Sequence, residues 1–127
     1  MKELTLGSQH LVEFYGCCAN LINDKTFVRQ MMIEAAILAK ATIVADVFHE
    51  FNPHGISGVV VIAESHLAIH SWPEHHCVSL DIFTCSGQMA PEAAIEHLRV
   101  AFKAQQVEIQ KFKRGVVPQS RDIPVEV

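Results

Sequence analysis

At 127 residues the chain is about one domain long. Ten Lys and Arg against fourteen Asp and Glu leave a net charge of −4 with His neutral, and no basic block occurs. That excludes the clustered positive charge a nucleic acid or an anionic membrane surface requires. Half the residues are hydrophobic and 19% are charged, a globular balance rather than a disordered one.

In chain order, Met1 to Gly7 lacks the apolar core and small-residue cleavage site of an export signal, so a soluble cytoplasmic domain is expected. Gln9 to Cys17 carries Leu11, Val12, Phe14 and Tyr15 and reads as a first strand closed by Gly16. Asn20 to Lys25 is polar, and Asp24 is placed to cap a helix from Lys25 to Lys40, along which Val28, Met31, Met32, Ala35, Leu38 and Ala39 recur at helical spacing. Ala41 to Phe51 is rich in β-branched and aromatic residues and reads as a strand, broken by Asn52-Pro53-His54-Gly55.

Gly58 to Ala63 is a short apolar run of the kind found in a central strand. It falls far short of the ~20 residues that span a bilayer. His66 to Trp72 is extended in pattern up to Pro73, and Cys77 to Cys85 alternates through Val78, Leu80 and Ile82. Pro91 suits the first turn of a helix whose stripe is Ala94, Ile95, Leu98, Ala101 and Phe102, reaching about Gln105. Val107 to Lys113 reads as a last strand, with a loosely held tail from Gly115 through Pro118 and Pro124. The pattern predicts an α+β single domain: a two-layer sandwich with two helices on one face of a largely antiparallel sheet.

The chemistry concentrates between Glu64 and Glu74. Six of the eight histidines lie between His49 and His76. A zinc site at His66, His70, His75 and His76 conflicts with the extended reading. Residues four apart on a strand are ~13 Å from each other, against Zn–N bonds of ~2.0–2.1 Å. No metal is therefore expected. The four cysteines include no C-x-x-C pair, and reduced thiols are expected. Gly55-Ile56-Ser57-Gly58 is not the G-x-S-x-G elbow of a serine hydrolase.

The run from Gly55 to Glu74 contains Glu64-Ser65-His66-Leu67, His70, and Trp72-Pro73-Glu74. With Phe83-Thr84-Cys85 downstream and His10 to Cys17 at the start, it resembles the small bacterial and archaeal S-adenosylmethionine decarboxylase proenzymes. The resemblance implies a precursor that cuts itself between Glu64 and Ser65, giving a β chain of residues 1–64 and an α chain of residues 65–127. Ser65 would become a pyruvoyl group, whose ketone forms a Schiff base with the substrate amine and takes up the electrons released with CO2. No pyridoxal phosphate would be needed.

By the same resemblance His70 is the processing base, Ser57 polarises or positions the scissile carbonyl, and Cys85 is the proton donor, since a thiol is mostly protonated at neutral pH. Phe51 and Trp72 would stack on adenine, Leu67 would line the same pocket, and Glu74 would contact the ligand. A homodimer with the site near its interface is implied. Five positions separate Ser65 from His70, so on a regular strand they face opposite sides, and a bend or bulge near residues 65–67 is expected. Three other readings stay open at this point: a homologous arginine or ornithine decarboxylase, a non-catalytic partner subunit, and a metal-binding module.

Overall fold

The computed structural model describes residues 3–118. Six strands form one antiparallel sheet in the order β2-β3-β4-β5-β1-β6. They are β1 (Glu3–Tyr15), β2 (Ile43–Glu50), β3 (Ile56–Ile62), β4 (Ser65–Trp72), β5 (Cys77–Thr84) and β6 (Gln106–Pro118). Helices α2 (Lys25–Leu38) and α3 (Pro91–Ala101) pack against each other and against one face of the sheet. The two-layer α+β sandwich expected from the sequence is the fold observed. No helix among the described residues is long and apolar enough to cross a membrane.

Alternation along the strands sorts side chains between two different environments. Val12 and Phe14 of β1, Val60 of β3, Leu67 and Ile69 of β4, and Val78, Leu80 and Ile82 of β5 are buried beneath the helices. They meet Val28, Met32, Ala35 and Ala36 of α2 and Ile95 and Leu98 of α3. Phe102, just past α3, sits edge-on to both Phe14 and Phe27 at 6.4 Å between centroids. The intervening residues face the side that carries no helix, where Val47, Val61, Trp72 and Phe112 are exposed. Gly58 is required by a close approach: a Cβ there would lie 2.1 Å from the Phe48 ring on the neighbouring strand.

Several boundaries differ from expectation. A single helical turn, α1 (Ala19–Ile22), occupies the stretch read as polar. It is held by burial of Ile22 and by Ser71 Oγ, which donates to the Ile22 carbonyl at 2.7 Å. Strand β1 begins six residues before Gln9, because Glu3 to Thr5 pair with Val116 to Pro118. Gly115 to Pro118 therefore belong to β6 instead of a loose tail; Pro124 lies outside the described residues.

Asp24 caps α2 as expected, accepting from the Phe27 N–H at 3.1 Å. Both helices stop short of the predicted ends. After α2, Lys40 takes a left-handed φ of 64°, and the N–H groups of Lys40 and Ala41 donate to Ile37 and Ala36. After α3, Lys103 does the same at φ 56°, with Ala104 N–H donating to Arg99. Each is a Schellman ending with lysine where glycine is usual.

Candidate active site

Strands β3 and β4 are joined by the two-residue turn Ala63-Glu64, with Ile62 directly opposite Ser65. The turn is fixed from two sides. From one, Ala63 N–H donates to the Thr42 carbonyl at 2.8 Å. Thr42 in return offers its N–H to Glu64 Oε1 at 3.0 Å and its hydroxyl to Glu64 Oε2 at 3.3 Å. The Thr42 N–H, foremost, holds the Glu64 carboxyl below its ordinary pKa. From the other side, Cys85 N–H donates to the main-chain carbonyl of Glu64 at 2.9 Å.

Ser65 follows with a φ of 154°, a conformation that L-residues avoid and that costs of order 1–3 kcal/mol. Its half-buried hydroxyl lies 3.3 Å from His66 Nδ1. Cys85 is exposed and opens onto a cleft of about 190 Å³ walled by Thr5 to Ser8 of β1 and Thr84 to Gly87.

The other half of the sequence-predicted set gathers at the far end of β4. His70 stands directly opposite Ser57, with Nδ1 3.3 Å from Ser57 Oγ, and Ser57 Oγ donates to the Ile69 carbonyl at 3.5 Å. Donation to that carbonyl leaves Ser57 Oγ able to accept from Nδ1–H, and that tautomer carries on Nε2 the lone pair a general base needs. The His70 ring lies 4.2 Å from Trp72 and 5.8 Å from Phe51. Glu74 pairs with His54 Nε2 at 3.1 Å; its carboxyl is lowered first by its own backbone N–H and then by His54.

A cleft of about 300 Å³ on the helix-free face is lined by Ser57, Ala68, His70, Ser79 and Asp81. A polar row crosses it in register, from Glu13 through Ser79, His70 and Ser57 to His49, with Ser79 Oγ donating to Glu13 Oε2 at 2.5 Å.

The single chain does not bring these two groups together. The pairing of β4 runs without a shift from Ser65 to His70 against β3 and from Ser65 to Trp72 against β5, so the expected bulge is absent. Five residues at ~3.3 Å each leave Ser65 and His70 roughly 16 Å apart. Ser57, placed beside the scissile carbonyl by the resemblance, belongs to the His70 end. Leu67 is fully buried under the helices, so its side chain lines no ligand cleft.

Sequence reasoning missed Thr42, which precedes Glu64 by 22 positions and carries no local signal of the contact. It also missed the β1 wall of the Cys85 cleft, and it considered His66 only as a metal ligand.

The sequence profile described as S-adenosylmethionine decarboxylase matches residues 8–115. An S-adenosylmethionine decarboxylase proenzyme of Acidithiobacillus ferrooxidans is 47% identical over 113 residues, covering 89% of this chain and 85% of that one. One from Pyrococcus horikoshii is 38% identical over 117 residues, covering 92% and 84%. The crystal structure of the adenosylmethionine decarboxylase from Aquifex aeolicus superposes with a TM-score of 0.85 at 30% identity, covering 94% of this chain and 98% of that one. With the profile spanning most of the sequence and the fold matched over 94% of it, the chain belongs to the S-adenosylmethionine decarboxylase family.

Proposed function

We propose that the chain is a proenzyme that cleaves its own Glu64–Ser65 bond and then decarboxylates S-adenosylmethionine, producing an aminopropyl donor for polyamine synthesis. One observation carries the reading: the bond sits in a pinned turn, its carbonyl oxygen accepts from Cys85 N–H, and the next residue is a strained serine.

Ser65 Oγ attacks the Glu64 carbonyl carbon, and the developing oxyanion keeps the Cys85 N–H as a donor. The C–N bond breaks, the hydroxyl proton passes to the freed nitrogen, and an ester replaces the amide. Rotation out of the strained φ offsets part of what exchanging an amide for an ester costs. A base then removes the α-proton of Ser65, and Glu64 leaves as a carboxylate, becoming the C-terminus of the 1–64 chain. The dehydroalanine left at residue 65 takes up water and loses ammonia, giving the pyruvoyl terminus of the 65–127 chain. That ketone supplies the electron sink for decarboxylating an α-amino acid. Cys85 Sγ, exposed at the adjoining cleft, is placed to return a proton to the substrate α-carbon.

His70 in the lone-pair-on-Nε2 form is the processing base, and it acts from a second copy of the chain. The helix-free face, with Val47, Val61, Trp72 and Phe112 exposed, is more apolar than a solvated antiparallel face needs to be. A two-fold axis between two such faces, perpendicular to β4, lays the Ser65 end of one copy over the His70 end of the other and forms two equal sites. Phe51, Trp72 and Glu74 then accompany His70 toward the partner's Ser65. Their aromatic faces suit adenine and a sulfonium cation, each contact contributing about 0.5–2 kcal/mol.

Intact mass spectrometry of the purified protein tests the cleavage: two fragments divided at residue 64, the larger-numbered one beginning with a pyruvoyl group, are expected. A folded, uncut chain overturns the reading. Release of CO2 from S-adenosylmethionine, arginine and ornithine in parallel tests the substrate, and faster turnover of either of the last two reassigns it.

A further inference from the structure

We propose that Thr42 is a positioning residue for self-cleavage, acting through a clamp on the Glu64 side chain. The inference rests on the cleavage reading above and adds to it what holds the reactive bond in place. An acyl shift needs the hydroxyl and the carbonyl carbon within near-attack distance, and a freely pivoting two-residue turn would spread that geometry over many conformers.

Three hydrogen bonds remove the pivot on the Thr42 side: one from Ala63 N–H to the Thr42 carbonyl, and two from the Thr42 N–H and hydroxyl to the two Glu64 carboxylate oxygens. The fourth, from Cys85 N–H to the Glu64 carbonyl, tethers the opposite flank. The scissile peptide thus spans two anchors that come from different parts of the chain, Thr42 just before β2 and Cys85 just after β5. Thr42 is exposed, so its hydroxyl contributes nothing to the core. Among the described residues the hydroxyl bonds only the carboxylate of the residue whose bond is cut.

The test is the rate of cleavage of freshly translated or refolded full-length chain, followed by denaturing gel and mass. Thr42→Val keeps the backbone bonds and loses the hydroxyl, and roughly a three- to tenfold slowing is expected, the net size of one ordinary hydrogen bond at a solvent-facing site. Thr42→Ser should restore the native rate. Glu64→Ala should slow cleavage at least as much, and adding Thr42→Val to it should cause no further loss, since the hydroxyl then has no partner. This dependence on Glu64 separates positioning from a general effect on folding.

Cleavage of Thr42→Val at the native rate, or full additivity of the two substitutions, overturns the clamp and leaves the cleavage reading intact. Where Thr42→Val does not fold, Glu64→Ala alone decides: native-rate cleavage by that variant also overturns it. A native chain that never cuts defeats the parent reading, and the clamp with it.

Discussion

A serine hydroxyl at neutral pH is a poor nucleophile, and what distinguishes Ser65 from the other serines of the chain is where its backbone has been put. Ser57 and Ser79 sit at ordinary strand positions and serve as hydrogen-bond partners of His70 and Glu13. Among the described serines Ser65 alone takes a positive φ, and the carbonyl before it accepts from Cys85 N–H. Ser65→Ala is therefore expected to leave a single uncut band on a denaturing gel.

Cys85→Ala keeps the backbone donor to Glu64, so it should still cut while losing most CO2 release; full turnover by that variant would remove the thiol from the chemistry. Ser65, His70 and Cys85 are singled out from the sequence because they fall in one long, specific string with Phe83-Thr84-Cys85 downstream. Their mutual placement is not legible in it. A periodicity of two assigns side chains to faces but says nothing of which serine lies near which carbonyl. Ser57, read as positioning the scissile carbonyl, stands within one chain on β3 opposite His70.

Among the secondary-structure elements, strand and helix identities followed from apolar spacing, while the ends depended on signals the sequence does not carry. Helices α2 and α3 were read two to four residues too long, since neither is followed closely by glycine. The chain turns on Lys40 and Lys103, each in the left-handed region. The cost of that conformation to a residue with a Cβ gives a direct prediction. Lys40→Gly and Lys103→Gly should each raise unfolding stability, by about 0.5–1 kcal/mol, after the extra freedom of glycine in the unfolded chain is offset. Urea denaturation measures it, and a loss of stability in both variants would mean that the lysine side chains contribute more than the strain costs. The single turn α1 was invisible for a different reason. Four residues carry no period, and the turn is held by a long-range bond from Ser71.

At the scale of the molecule, two features bear on behaviour in solution. The first is His10, 2% exposed beneath α3, with neither ring nitrogen hydrogen-bonded among the described residues and Nε2 3.7 Å from Glu92 Oε1. Burial lowers its pKa below the ordinary 6.5, with Glu92 opposing and Lys111 assisting. The folded state then binds a proton less readily than the unfolded chain. The stabilising contribution of neutral His10 is complete above pH 6.5 and falls as the pH drops through the lowered value. Replacing it with leucine should flatten the decline of the urea midpoint below pH 6.5; an unchanged slope would show that the ring titrates alike in both states.

The second feature is the roughly 16 Å between Ser65 and His70, which no motion of a continuous strand closes. If a second copy supplies the base, the two functions can be separated onto different chains. Ser65→Ala has nothing to cut and His70→Ala has no base, so each alone should remain whole. Coexpressed with distinguishable tags, they form mixed dimers in which the His70 of the Ser65→Ala chain faces the intact Ser65 of the His70→Ala chain. Cleavage should then appear only in the His70→Ala chain, in proportion to the mixed dimer recovered. Copurification of the two chains without any cut rules out a site shared between copies. Cleavage of His70→Ala by itself removes His70 as the base. The expected asymmetry, one tag cut and the other never, has no counterpart in a site completed within one polypeptide.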